Sequence, residues 1–129
     1  DHRIRVSGRA NPSQSIFATG IPFMGRGAEK DHDIFLAQMK AVMAASAGIR
    51  RFGSAAMDLA YVAAGRFDGF WETGLEPWDI AAGIVLVREA GGIVSELDGR
   101  DRMLGSGSIL AANPNIHQEL GDILRQAGK

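Results

Sequence analysis

The chain has 129 residues, of which 46% are hydrophobic and 22% are charged, and its formal net charge is −1. This balance fits one modest globular domain and excludes the basic patch that contact with nucleic acid or an anionic membrane requires. The chain contains no cysteine, which excludes disulfides, thiolate metal sites and cysteine nucleophiles. The longest run of apolar residues and glycine, Ile80 to Val87, is too short to span a bilayer, and no signal peptide is visible. We therefore expect a cytoplasmic setting.

The first half of the chain predicts three short strands and one long helix. Apolar and polar residues alternate over residues 3–7, which predicts a half-buried strand, and SIFAT (15–19) predicts a buried strand that ends at Gly20. After a loop, Asp31 or Asp33 can cap a helix that runs to Ala47 and stops at Gly48, and residues 49–52 predict a brief strand. We expect the buried stripe of this helix to consist of Ile34, Leu36, Met39, Val42 and Met43.

The second half alternates helices with strands. Helices are predicted over residues 54–65, 77–90 and 114–126, and strands over 67–71, 93–96 and 108–112. The helix over 54–65 is rich in Ala and Gly and should pack very close to its neighbours. The apolar face of the last helix is predicted to contain Ile116, Leu120, Ile123 and Leu124. This alternation predicts an α/β fold, a layered mixed sheet covered by helices.

The amino terminus suggests a longer polypeptide. The chain opens with Asp1, almost inside the first predicted strand, and has no initiating methionine. We expect the chain to be the carboxyl-terminal domain of a larger protein, with residues 1–10 as the end of an upstream sheet. An apolar face normally covered by the absent part would then be exposed and would favour self-association.

Several motifs carry little functional information. The glycine-rich stretches GRGAEK (25–30) and GSGS (105–108) complete neither known phosphate-binding loop, so we interpret both as turns. The three histidines are far apart in the sequence and form no zinc motif, and no G-x-S-x-G nucleophile elbow occurs.

The turn formed by Gly53, Ser54 and Ala55 is a better candidate. It joins a predicted strand to a predicted helix, where backbone N–H groups and the positive end of the helix dipole are accessible. Such a turn suits a phosphate ester or a sugar hydroxyl. The alternative is an ordinary helix cap by Ser54.

Two carboxylates, Glu72 and Asp79, are the first and last residues of the segment ETGLEPWD. Glu72 ends a strand, where open α/β sheets bind ligands, and Asp79 falls in the first helical turn after Pro77. Oxygen ligands at such places are what Mg²⁺ uses, and packing by Trp78 could fix the rotamer of Asp79. The alternative is structural: Asp79 would be a favourable first-turn acid and Glu72 a solvated strand end.

Longer motifs favour the functional interpretation. The segments GSAA (53–56), AYVAAGRFDGFWE (60–72) and PWDIAAGIVLVREAGGIVSELDG (77–99) together resemble the carboxyl-terminal half of the inositol monophosphatase family. SIFATGIPF and ILAANP resemble further stretches of that family, in the same order, so the resemblance covers nearly the whole chain.

The resemblance implies a fold, a cofactor and site residues. It implies half of an αβαβα layered fold, an enzyme that hydrolyses a small phosphate monoester such as inositol 1-phosphate, dependence on Mg²⁺, frequent inhibition by lithium, and a homodimer. It also assigns metal binding and catalysis to Asp79, and contacts with substrate hydroxyls to Glu72. Substrate contacts are likewise implied for Ala55 with Gly53 and Ser54 beside it, and less specifically for Thr19, in the A-T-G-x-P segment.

The resemblance also exposes a gap and leaves alternatives. The family's amino-terminal D-P-x-D-G-T motif, which supplies most metal ligands, does not occur here. We therefore expect this chain alone to be inactive without its missing amino-terminal half. Other sugar or nucleotide phosphates remain possible substrates. Because some bacterial members bind transcription machinery, Arg50 and Arg51 could instead serve a protein interface or the dimer.

Overall fold

The computed structural model describes residues 3–20 and 29–129, with side chains from residue 31 onward in the second range. A short 3₁₀ helix, Pro12–Gln14, precedes the first strand. The strands are β1 (Ile16–Thr19), β2 (Gly48–Arg50), β3 (Gly69–Glu72), β4 (Ile93–Ser95) and β5 (Ile109–Ala112). The helices are α1 (Glu29–Ala45), α2 (Ala55–Ala63), α3 (Pro77–Glu89), α4 (Met103–Ser106) and α5 (His117–Ala127).

The five strands form one mixed sheet in the order β2-β1-β3-β5-β4. β1 pairs in parallel with both β2 and β3, whereas β5 is antiparallel to β3 and to β4. The carboxyl ends of β1, β2 and β3 therefore share one edge of the sheet, and their amino ends share the opposite edge. The predicted mixed α/β sheet is confirmed.

Helices cover both faces of the sheet, because alternate strand residues enter two separate cores. Ala18 and Phe70 belong to the core under α2 and α3, and Phe17 and Trp71 belong to the core under α1 and α5. A Cβ at Gly83 in α3 would overlap the side chain of Leu59 in α2, so only glycine permits this approach of the two helices. The prediction that α2 packs very close to its neighbours is confirmed.

The prediction of a strand over residues 3–7 is wrong. This segment joins no sheet, and a long-range hydrogen bond, from the Val6 N–H to the carbonyl of Ala90 at 3.1 Å, helps to hold it. Its other attachments are the side chains of Asp68 and Asn113. Alternation alone could not reveal that hydrogen bonds from a helix end and two side chains replace a neighbouring strand.

Two helices differ from the prediction, either in the residue at which they begin or in the face that they bury. α1 starts at Glu29, before either proposed Asp cap, and ends at Ala45, while Gly48 opens β2. Leu36 and Met43 are exposed, because α1 packs on α5 through the face that carries Phe35, Gln38 and Val42. α5 starts at His117 rather than at Pro114, since the Asn113 side chain holds the preceding residues in a turn. α4 was not predicted.

Asp68 organises the amino edge of the parallel strands. Its carboxylate accepts hydrogen bonds from the Ser7 hydroxyl, from Arg9 at 3.2 Å and from the Ile16 N–H at 2.8 Å. Asn113 extends this network by donating to Ser7 Oγ at 2.9 Å and to the carbonyl of Arg9 at 3.1 Å. The network ties the segment 3–10 to the start of β1 and to the end of β5.

Candidate functional site

A cleft of about 350 Å³ opens at the carboxyl edge of β1, β2 and β3. This is where open α/β sheets place ligands, because loops diverge from strand ends and helix starts face the gap. The cleft contains five of the six residues that the sequence singled out. It is lined by Gly20, Arg51, Gly53, Ser54, Ala55, Ala56, Glu72, Leu75, Trp78 and Asp79.

The turn between β2 and α2 forms one wall. Gly53 has φ +82°, a left-handed conformation that side chains disfavour, and this turns the chain directly into α2. Ser54 caps the helix, since its Oγ accepts the Met57 N–H at 3.3 Å. The capping interpretation of Ser54 is therefore correct, and it is compatible with ligand binding because the first helical N–H groups, at Ala55 and Ala56, have no partner within the helix.

Glu72 ends β3 and is half-buried at the cleft. Its carboxylate lies against Gly20, the residue that follows β1 on the neighbouring strand, and a Cβ at position 20 would overlap it. Glycine at position 20 is therefore what leaves room for the carboxylate in this position. The sequence analysis interpreted Gly20 only as a strand end and missed this contact, which depends on the pairing of β1 with β3.

Asp79 stands in the first turn of α3 and is also half-buried. Its Oδ2 accepts the Glu76 N–H at 3.1 Å, which fixes the carboxylate across the helix start. A carboxylate has two oxygens, so this bond is compatible with a ligand on Oδ1. The Trp78 side chain is 78% exposed and lines the same cleft, and the suggestion that it packs on Asp79 stays a prediction.

Thr19 lies behind the cleft rather than in its lining. The residue is fully buried, and its hydroxyl donates to the carbonyl of Trp71 at 2.8 Å, across the β1–β3 pair. Its predicted contact with substrate stays a prediction. The segment that follows it, residues 21–28, lies outside the described residues, as does most of GRGAEK.

The donor set of the cleft is compatible with Mg²⁺ but incomplete. Asp79 and Glu72 offer hard carboxylate oxygens, the ligand type that Mg²⁺ prefers. No cluster of three or more His, Cys, Asp or Glu side chains able to hold a metal occurs within the described part of the chain. Mg²⁺ commonly binds through one or two carboxylates together with waters and substrate phosphate, so Asp79 fits as one ligand among several.

Two other features lie apart from the cleft. Ser95 Oγ and His117 Nε2 are 2.8 Å apart, but the Ser95 hydroxyl donates to the carbonyl of Glu96, so its proton is already engaged. Burial and the charge of Arg125 lower the pKa of His117. The pair is therefore structural. GSGS was predicted to form a turn, but its first two residues end α4 and only Gly107 makes the left-handed turn that follows.

No helix within residues 3–20 and 29–129 is long and apolar enough to cross a bilayer. This finding agrees with the short apolar runs of the sequence.

Comparison with known proteins matches the whole chain to one family. A family model described as the inositol monophosphatase family covers residues 1–129. An inositol-1-monophosphatase of Mesorhizobium japonicum is 54% identical over 93% of this chain and 44% of its own length. A Nus factor SuhB of Pseudomonas aeruginosa is 47% identical over 92% of this chain and 43% of its own length. This chain spans about half the length of these relatives.

A solved structure agrees with the fold. The extragenic suppressor protein SuhB of Bartonella henselae superimposes with a TM-score of 0.91 at 46% identity, over 98% of this chain and 48% of that one. The sheet order and the helices that build the cleft therefore belong to a fold already known from a longer chain.

Proposed function

Because the chain belongs to the inositol monophosphatase family, we propose that it supplies the substrate-binding part of a Mg²⁺-dependent phosphatase. The enzyme hydrolyses a small phosphate monoester, with inositol 1-phosphate as the first candidate. The observation that carries this proposal is the cleft in which Glu72, Asp79 and the turn 53–55 converge.

Each group has a role that its position supports. Asp79 is a metal ligand, held in place by its bond to the Glu76 N–H. Glu72 accepts hydrogen bonds from substrate hydroxyls, and the small residues of the turn allow the polyol to approach backbone N–H groups. Mg²⁺, when bound, supplies positive charge that lowers the pKa of a water and neutralises the phosphate.

The remaining metal ligands come from sequence outside these 129 residues. The described residues contain no group of three potential ligands, and the relatives are about twice as long as this chain. We therefore propose that the active enzyme contains an additional amino-terminal half and that this chain alone is inactive. From the family resemblance we also propose that the enzyme is a cytoplasmic homodimer. Another sugar or nucleotide phosphate remains an alternative substrate.

Phosphate release tests this proposal directly. Inositol 1-phosphate and Mg²⁺ are incubated with this chain alone, with the proposed amino-terminal half alone, and with the two halves mixed. Activity is expected only in the mixture, and Asp79→Asn in the mixture is the matched negative control. Turnover by the chain alone would contradict the proposed division of metal ligands.

A second candidate function is a protein interface. It is favoured by the relative named Nus factor SuhB and by the exposed pair Arg50–Arg51 at the end of the edge strand β2. This function predicts that changing both arginines to alanine abolishes capture of transcription proteins. Capture that is unaffected by the change would remove this role for the pair.

A further inference from the structure

Four consecutive residues near the start of the chain, residues 6–9, are each hydrogen-bonded to a distant part of the molecule. The Val6 N–H donates to the carbonyl of Ala90 at 3.1 Å, just past the end of α3. The Ser7 hydroxyl donates to the carboxylate of Asp68, which immediately precedes β3. The first two residues of this segment are therefore tied to a helix end and to a strand start.

The other two residues of the segment are held by asparagines that follow β5. Asn115 donates to the carbonyl of Gly8 at 3.2 Å, and Asn113 donates to the carbonyl of Arg9 at 3.1 Å. Asn113 is fully buried and comes directly after the last residue of β5. Together these bonds hold residues 6–9 in one position relative to the sheet, whereas a flexible linker lacks such partners. We call residues 6–9 the joint.

The backbone around the joint also lies close against the ends of α2 and α3. A Cβ at Gly65 would lie 3.0 Å from the carbonyl oxygen of Arg5, and a Cβ at Gly92 would lie 3.0 Å from the Val6 side chain. The Val6 side chain packs against the core under α2 and α3. Packing and hydrogen bonding therefore place the joint on the α2–α3 side of the sheet.

Helix α3 connects the joint to the proposed metal ligand. Asp79 lies in the first turn of α3, and Ala90, which accepts the Val6 N–H, follows the last turn. The helical rise from Asp79 to Ala90 is about 16 Å. The close approach of Gly83 to Leu59 of α2 holds α3 in the core, so the helix is a rigid spacer between the two places.

A small rotation at the joint becomes a large displacement at the metal. If the proposed amino-terminal half tilts by about 5° at the joint, a ligand that it supplies beside Asp79, about 16 Å away, moves by about 1.4 Å. Mg²⁺ requires near-ideal octahedral geometry with bonds of about 2.0–2.1 Å, so a displacement of this size breaks coordination.

We propose that the joint orients the amino-terminal half so that its metal ligands meet Asp79, and that Ser7, Asn113 and Asn115 are positioning residues for the metal site. All three lie near the amino end of β3, at the opposite edge of the sheet from the cleft. They act through the orientation of the two halves. This inference rests on the proposed function, in which the amino-terminal half precedes this chain and connects to it through the joint.

The test measures the Mg²⁺ concentration that gives half-maximal phosphate release from inositol 1-phosphate by the complete enzyme. The joint variant, Ser7→Ala with Asn115→Ala, removes the side-chain bonds at residues 7 and 8. It keeps the bond from the Ile16 N–H to Asp68 and the turn that Asn113 holds. The required Mg²⁺ concentration should rise about tenfold or more, because a misplacement of about 1 Å has effects of at least this size. Excess Mg²⁺ should restore most of kcat.

The matched control is Asp101→Ala with Gln118→Ala, which removes two exposed side-chain hydrogen bonds outside the joint. The control should leave the required Mg²⁺ concentration unchanged. If the joint only stabilised the fold, the joint variant would have a lower melting temperature and an unchanged Mg²⁺ requirement. That result, or an equal rise in the control, overturns the inference.

A failure of the proposed function is distinguishable from a failure of this inference. If the complete enzyme releases no phosphate from inositol 1-phosphate, the proposed function fails separately, and calorimetric titration with Mn²⁺ decides the role of the joint. Mn²⁺ binding that the joint variant weakens supports the inference. Binding that is unchanged in the variant, or absent from the unmodified enzyme, refutes it. If the joint variant does not fold, Ser7→Ala alone, compared with Asp101→Ala alone, gives the same decision.

Discussion

The carboxylates near the two edges of the parallel strands differ in how many hydrogen bonds they accept. At the amino edge, Asp68 is 1% exposed and accepts hydrogen bonds from three donors of this chain. At the cleft edge, Asp79 accepts one bond, from the Glu76 N–H. Asp58, one turn along α2 from the cleft residue Ala55, is 0% exposed, and neither of its oxygens has a hydrogen-bond partner among the residues that the structure describes.

This difference separates a structural edge from the edge that we propose to bind substrate. Buried polar groups that only maintain a fold are almost always fully paired, because an unpaired group carries its full desolvation cost. The amino edge meets this expectation completely. The cleft edge keeps Arg51 and Oδ1 of Asp79 available to a ligand, and the buried charge of Asp58 lowers the stability of the same region.

The largest expected effect of a substitution is at the structural edge. Asp68→Ala removes the acceptor for Ser7, Arg9 and Ile16, so we expect the free energy of unfolding to fall by about 3–5 kcal/mol. Chemical denaturation of the variant measures this. Asp101→Ala, which removes an exposed carboxylate paired with Arg88, is the control and should cost less than about 1 kcal/mol. Similar losses in the two variants would contradict the contrast between edges.

The next effect is the pH dependence that Asp58 causes. Burial raises the pKa of Asp58 from 3.8 to about 6, so the folded state holds a proton that the unfolded state releases between these values. This contribution to stability is fully present below pH 3.8 and is lost as the pH rises through 6. Relative to the unmodified chain, Asp58→Asn should therefore gain about 3 kcal/mol between pH 3 and pH 7.

Comparing these two proteins isolates Asp58 from His117. The lowered pKa of His117 has the opposite consequence, because its folded state resists protonation and stability is lost as the pH falls through the unfolded value of 6.5. Both proteins contain His117, so its contribution cancels in the difference. Parallel stability curves for the two proteins would show that Asp58 is paired after all.

A third effect concerns catalysis. Asp79→Asn in the complete enzyme should lower kcat/KM for inositol 1-phosphate by about a hundredfold or more at fixed Mg²⁺, because metal-bound charge contributes several kcal/mol to such reactions. Asparagine can still accept the Glu76 N–H, so the melting temperature should change little. Near-normal turnover at saturating substrate and metal would show that Asp79 is only a helix cap.

The smallest effect tests the contact between Gly20 and Glu72. Glu72→Gln removes a charge-assisted hydrogen bond to substrate, and Gly20→Ala should displace the same carboxylate, so each should raise KM for inositol 1-phosphate roughly tenfold. Gly8→Ala is the control, because a Cβ at position 8 meets no atom within 4 Å. An unchanged KM in Gly20→Ala would mean that the position of Glu72 in this structure is unimportant for binding.

Local patterns in the sequence predicted most of the fold and the place of the site. Glycine, proline and apolar periodicity marked four of the helices and all five strands. The family resemblance singled out Glu72, Asp79 and the turn 53–55, which the structure brings to one edge. Features that depend on distant partners were not predictable. They include the attachment of residues 3–7 to Asp68, the exposed face of α1, and the position of Arg51, which the strand order determines.

The most direct test of the account is a crystal structure of the complete enzyme with inositol 1-phosphate and Mn²⁺, whose anomalous signal locates the metal. The account predicts a metal coordinated by an oxygen of Asp79, a substrate hydroxyl within hydrogen-bond distance of Glu72, and no ligand at the Asp68 edge. A metal and substrate bound away from this cleft, with Asp79 bonded only to Glu76, would contradict the account.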